Sequence, residues 1–173
     1  DAAGRAAAAA FAEAAGCPVV TSFRAKHLID NDHPNYAGEA GIGANPALVQ
    51  ALRQSDLIVA VGPRLGEMTT QSYDLFHVPE GLTDRLIHIH PGGEELGRVY
   101  RPRSSVTASP GAAMQALATM REQALQRGRG LGSPGCSCAC RGRAASSGSF
   151  NEVGAWDAPG GGADYLSKPT IVP

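Results

Sequence analysis

One stretch, Asp56-Leu57-Ile58-Val59-Ala60-Val61-Gly62, constrains the fold of this chain more than any other. Its apolar run is unbroken, carries no polar alternation, and stops at a glycine. A strand that reads this way has both faces covered, and that happens in a parallel sheet held between layers of helix. The rest of the chain can then be tested against one architecture: short strands alternating with helices and joined by right-handed crossovers.

Three further segments fit as strands. Cys17-Pro18-Val19-Val20-Thr21-Ser22-Phe23 is rich in β-branched residues and has its proline at the start, where a missing N–H is tolerated. Arg85-Leu86-Ile87-His88-Ile89-His90 is apolar until Pro91-Gly92-Gly93 ends it, and Ser104 to Ala108 is a shorter fourth strand. Between them lie helices. Residues 5–15 are alanine-dominated and closed by Gly16, a C-terminal stop signal. Asn45 and Pro46 place a cap and a first-turn proline ahead of residues 47–53, and Ser109 and Pro110 do the same ahead of Met114, Leu117 and Met120. Residues 69–76 read as weakly helical, residues 79–83 as a turn, and residues 94–98 as a short helix. The stretch 24–45, with its Asn, Asp, Pro and Gly residues and no sustained period, is expected to be a long loop of the kind that is usually functional.

Beyond about residue 126 the composition shifts to Gly, Ser, Ala, Arg and Pro and ends in Gly160-Gly161-Gly162 before the last few residues. Such a stretch has too little apolar surface to offset its ordering entropy. The expected organisation is therefore one α/β domain over residues 1–126 and a low-complexity linker or tail over 127–173.

Charge and cysteines narrow the function classes. With 15 Lys and Arg against 16 Asp and Glu, the formal net charge is −1, so nothing steers the chain toward nucleic acid or an anionic membrane. The four cysteines, Cys17 and the tail cluster Cys136, Cys138 and Cys140, have neither disulfide-framework nor zinc-site spacing. His88 and His90 alternate on one strand face with no carboxylate or cysteine partner nearby in sequence, so no metal site is expected. No apolar run is long enough for a membrane span, Glu13 interrupts the alanine run at the start, and a cytoplasmic location is expected.

In an open parallel sheet, ligands bind outside the carboxyl ends of the strands. Here those ends are Thr21-Ser22, Gly62-Pro63-Arg64, His88-Ile89-His90 and Thr107-Ala108-Ser109. Gly62 lets a ligand approach the backbone, and Arg64 has the geometry to grip a phosphate in bidentate fashion. The competing reading makes Gly62 a strand stop and Arg64 a solvated surface residue. No Gly-x-Ser-x-Gly elbow, Walker-type loop or Gly-x-Gly-x-x-Gly turn occurs.

Five segments in order resemble the central domain of the thiamine-diphosphate-dependent enzymes, the superfamily of acetolactate synthase, pyruvate oxidase and benzoylformate decarboxylase. They are Gly16 to Phe23, Asp32-His33-Pro34-Asn35-Tyr36-Ala37-Gly38 with Gly41, Ser55 to Arg64, Leu86 to His90, and Glu95-Leu96-Gly97-Arg98-Val99-Tyr100. The likeness is strongest to acetolactate-synthase-like proteins. It implies a Rossmann-like domain set between pyrimidine-binding and diphosphate-binding domains in a homo-oligomer. Thiamine diphosphate and Mg²⁺ belong to the parent enzyme, and this chain has no Gly-Asp-Gly motif to hold them. In several members the central crevice takes FAD or ADP, and in others it is empty. By position, Thr21, Ser22, Gly38, Gly41, Gly62 and Arg64 match the nucleotide lining, and Ile89 and His90 match its adenine side. FAD-binding relatives favour an acidic residue where this chain has His90 and Pro91, which counts against FAD. The family's first strand and its glycine-rich turn are expected before Asp1, making the chain an N-terminally truncated fragment without catalytic residues of its own. Ala163 to Leu166 with Pro169 to Pro173 resembles the linker into the diphosphate domain, and residues 128–162 look foreign to the family. The alternative reading is a ligand-free module that mediates subunit packing. A sirtuin-type deacylase would need paired zinc cysteines and a catalytic-histidine motif, and neither is in the sequence.

Overall fold

The computed structural model describes residues 2–130, 149–150, 156–157 and 169–172. The elements run α1 (Ala2–Ala15), β1 (Val19–Thr21), β2 (Tyr36–Glu39), α2 (Pro46–Gln54), β3 (Leu57–Val61), β4 (Leu86–His90), β5 (Ser104–Thr107), α3 (Pro110–Gly130), β6 (Ser149–Phe150), β7 (Trp156–Asp157) and β8 (Pro169–Val172), with short 3-10 turns at Lys26–Leu28 and Gly93–Glu95. Six strands form one sheet in the order β2-β1-β8-β3-β4-β5, every pairing parallel. The two remaining strands, β6 and β7, pair antiparallel with each other.

The expectation of an α/β parallel sheet with flanking helices holds, and strand alternation shows why. On β3, Ile58 and Ala60 point to one face, where Leu48 and Leu52 of α2 meet Leu65, Leu75, Phe76, Leu82 and Tyr100. Val59 and Val61 point to the other, where Ala8 of α1 and Ala113 and Met114 of α3 cover them. Both helix ends predicted from capping residues are present: the Asn45 side chain accepts from the Ala47 N–H at 2.9 Å, and α3 begins at Pro110.

Three segments differ from their sequence reading. Tyr36–Glu39, inside the expected long loop, is the edge strand β2, paired with β1 through Val20↔Gly38 and Thr21↔Glu39. Residues 69–76 are a run of turns rather than a helix, with Gln71, Ser72 and Tyr73 consecutively left-handed at φ 53, 57 and 66. A left-handed residue costs roughly 1–2 kcal/mol, so the run needs outside support. The buried Thr70 hydroxyl donates to the Gly66 carbonyl, and Arg53 donates to the Asp74 carbonyl and carboxylate and to the Leu75 carbonyl.

The third difference lies at the chain's end. Of residues 127–173, expected as linker or tail, 127–130 complete α3 and Pro169–Val172 form β8 in the middle of the sheet. The β8 strand pairs with β3 over four residues, Leu57↔Pro169 to Ala60↔Val172, and with β1 at Val19↔Ile171. Val172 enters the core, and the Thr170 hydroxyl lies 3.0 Å from that of Ser55 at the end of α2. Without β8 the sheet divides into β2-β1 and β3-β4-β5, each with a bare apolar edge. The cysteine cluster at 136–140 and most of the segment that looked foreign lie outside the described residues.

Candidate functional site

Because all six strands are parallel, their carboxyl ends share one edge. β1 and β2 lie on one side of β8 and β3 to β5 on the other, so the sheet order reverses around β8. The rim there is formed by Thr21-Ser22 after β1, the loop after β2, and Gly62-Pro63-Arg64 after β3. This is the position where an open α/β sheet takes a ligand.

The expected site residues divide sharply by what they touch. Thr21 is fully buried, its hydroxyl 3.4 Å from the Gly38 carbonyl and 3.5 Å from the Tyr36 hydroxyl, so it ties β1 to β2. Gly38 has φ +127, and a Cβ there would stand 3.1 Å from Leu48 Cδ2, so the missing side chain lets α2 lie against β2. At Gly41 a Cβ would meet the Phe23 ring at 3.0 Å and the Met68 carbonyl at 3.3 Å. Ile89 is buried under α1 and α3 on the opposite face from His88 and His90, and offers the rim only its carbonyl. These four residues hold the rim together from within.

Arg64 is the opposite case. It follows a turn fixed at several points: the Gly62 N–H donates to the Ile89 carbonyl at 2.7 Å, Gly62 at φ +96 lies so close to Pro110 that a Cβ would stand 2.8 Å from its Cγ, and Leu65 at φ 52 is buried. Among the described residues Arg64 is exposed and has no hydrogen-bond or ion-pair partner. Ser22, at the carboxyl end of β1, is half-buried. The other cations of this edge are engaged: Lys26 pairs with Glu39 at 3.3 Å, and the Arg24 guanidinium lies over the Phe23 ring, 5.3 Å from its centroid, while the Arg24 backbone N–H donates to Glu39.

His90 closes β4. Its Nδ1 lies 3.0 Å from both the N–H and the carbonyl of Gly92, so Gly92 holds the ring through Nδ1 in either tautomer. One residue pair below, His88 is buried and its Nε2 lies 2.8 Å from the Pro63 carbonyl. Burial holds the His88 pKa below the ordinary histidine value; the bond to Pro63 opposes this, nearby His90 adds to it, and the Glu95 carboxylate opposes it. Alternation placed His88 and His90 on one face, but nothing in the sequence announced the Pro63 contact.

A depression of about 430 Å³ lies beside α2, lined by Ala44, Pro46, Val49, Gln50, Arg53 and Gln71, and its one charged group, Arg53, is engaged by Asp74. Among the described residues no three His, Cys, Asp or Glu side chains converge as metal ligands, and no helix is long and apolar enough to cross a membrane.

Residues 1–117 match the family model for the thiamine pyrophosphate enzyme central domain. Over 87 residues the chain is 34% identical to an acetolactate synthase of Mycobacterium avium, covering 50% of this chain and 13% of that protein. It is 33% identical over 90 residues to the acetolactate synthase large subunit of Corynebacterium glutamicum, covering 52% and 14%. With 3D-(3,5/4)-trihydroxycyclohexane-1,2-dione hydrolase of Geobacillus thermodenitrificans it shares 35% identity over 80 residues, covering 46% and 12%. The matched stretch thus spans 12% to 14% of these relatives' length.

Proposed function

The chain belongs to the thiamine pyrophosphate enzymes as a central domain, and from that premise we propose that it scaffolds a larger thiamine-diphosphate-dependent lyase or synthase and holds an adenine nucleotide at its carboxyl edge. The observation that carries the nucleotide reading is Arg64: a clamped turn at the ligand-binding rim directs an unpartnered guanidinium outward. A guanidinium held this way is a bidentate partner for a diphosphate. Ser22 would add a contact to the diphosphate, Gly62, whose N–H is engaged by the Ile89 carbonyl, would contribute only close approach of the chain, and the His90 ring would face the adenine or ribose end. The absence of a carboxylate at His90 favours ADP over FAD.

The catalytic chemistry belongs, on this reading, to the parent enzyme. Thiamine diphosphate with Mg²⁺ would supply a carbanion-stabilising centre, held by the pyrimidine-binding and diphosphate-binding domains. This domain spaces and orients those neighbours in a cytoplasmic homo-oligomer.

Calorimetric titration of the folded chain with ADP and with FAD tests the proposal. Saturable ADP binding that Arg64→Ala weakens about tenfold is expected, the loss of one charge-assisted hydrogen-bonding group at an exposed position. The engagement of Thr21, Gly38 and Gly41 in internal contacts favours a second reading, a ligand-free packing module. No saturable binding of either nucleotide at millimolar concentration would select it.

A further inference from the structure

His88 has no place in the nucleotide lining, yet it touches the residue before Arg64. Its ring is 2% exposed and its Nε2 lies 2.8 Å from the Pro63 carbonyl, 25 residues earlier in the chain. A carbonyl accepts and cannot donate, so Nε2 carries the proton and donates it, which fixes the tautomer. The carbonyl it holds belongs to the peptide unit that leads directly into Arg64. Its neighbours on both sides are fixed independently, Gly62 against Pro110 and Leu65 in the core. The orientation of the Pro63-Arg64 peptide plane is the freedom left in this turn, and the His88 bond removes it.

We propose that His88 is a positioning residue for Arg64: by holding the Pro63 carbonyl it sets the direction in which the guanidinium leaves the turn, and so tunes diphosphate affinity without touching the ligand. The inference rests on the reading of Arg64 as the phosphate-binding group. A histidine that merely filled the core would lower stability when replaced and leave the affinity of the folded protein unchanged.

The test is a double-mutant cycle on the full chain, read as ADP affinity by calorimetry, with folding checked by circular dichroism. His88→Leu removes the donor and keeps apolar volume, whereas His88→Gln retains an amide N–H at a similar reach. We expect His88→Leu to weaken ADP binding about tenfold, His88→Gln to recover most of it, and His88→Leu combined with Arg64→Ala to bind no more weakly than Arg64→Ala alone, because both act through one contact. In the unmodified protein the His88 Nε2–H proton resonance should shift on ADP titration, and Arg64→Ala should abolish that shift, a readout that survives if His88→Leu does not fold. Losses that multiply in the double variant, an unchanged affinity in folded His88→Leu, or an unmoved resonance overturns the positioning role while leaving the Arg64 reading intact. An Arg64→Ala variant that binds ADP as tightly as the unmodified chain, or a chain that binds no ADP, overturns both.

Discussion

The hydroxyl pair Ser55–Thr170 joins β8 to the rest of the domain, and it can be perturbed without changing shape. Ser55 is the C-cap residue of α2, and its Oγ donates to the Ala51 carbonyl at 2.9 Å. Its single proton is therefore engaged, so the 3.0 Å contact with Thr170 is one in which Thr170 donates and Ser55 accepts. Both side chains are buried. Thr170→Val removes the donor and keeps the branched shape, at a cost of about 1 kcal/mol for one net hydrogen bond. Ser55→Ala also loses the Ala51 contact and leaves the Thr170 donor buried without a partner, so about 2 kcal/mol is expected. In the double variant the stranded donor is gone, and the combined loss should fall about 1 kcal/mol short of the sum. Urea unfolding followed by circular dichroism measures these differences, and Thr170→Val alone should lower the melting midpoint by roughly 4 °C. If the two losses add within about 0.4 kcal/mol, the usual error for independent sites, or if Thr170→Val is neutral, then β8 does not dock between β1 and β3 in solution.

Arg85→Ala should cost about 2 kcal/mol in urea unfolding, because Nη1 donates to the Arg53 and Ser55 carbonyls at 2.7 and 2.8 Å at the negative end of α2 and Nε donates to Gly81; Arg85→Lys, lacking the fork, should recover less than half. Gly62→Ala forces a side chain into φ +96 and to 2.8 Å from Pro110 Cγ, a loss of about 2 kcal/mol, of which Pro110→Ala should return the steric part and not the backbone part. Stability should also depend on pH through His88: its folded pKa lies below the unfolded value of about 6.5, so its effect is absent above that value and destabilises the fold as the pH falls through it, and His88→Gln should flatten this slope between pH 7 and 5 in urea titrations.

How much of this was readable in the sequence depended on where each element's stability comes from. The strands β3 and β4 were plain because both their faces are buried, and burial on both faces leaves an unbroken apolar run. The edge strand β2 was hidden: Tyr-Ala-Gly-Glu has a glycine and an acid, and its extended form is imposed by pairing with β1. The left-handed run at 71–73 runs against local preference and is held by Thr70 and by Arg53, which comes from α2. β8 has three β-branched residues, Thr170, Ile171 and Val172, but it is only four residues long, and its place in the sheet is set by a slot between two strands distant in sequence. Nonlocal causes of this kind leave no local pattern.

At the rim the same distinction decides what a ligand could feel. Gly38, Gly41 and Gly62 read in the sequence as ligand-lining positions, yet the groups they accommodate, Leu48, Phe23 and Pro110, lie 10, 18 and 48 residues away in sequence. Each glycine is thus explained by a side chain of this domain before any ligand is invoked, and Thr21 is likewise explained by Gly38 and Tyr36. Recognition then falls on Arg64, Ser22 and His90, with a single free cation among them. A diphosphate held mainly by one exposed guanidinium is screened by salt, with a Debye length of about 8 Å at physiological ionic strength. The nucleotide affinity of this domain should therefore fall steeply between low and physiological salt, whereas a crevice built around buried hydrogen bonds would be nearly indifferent to it.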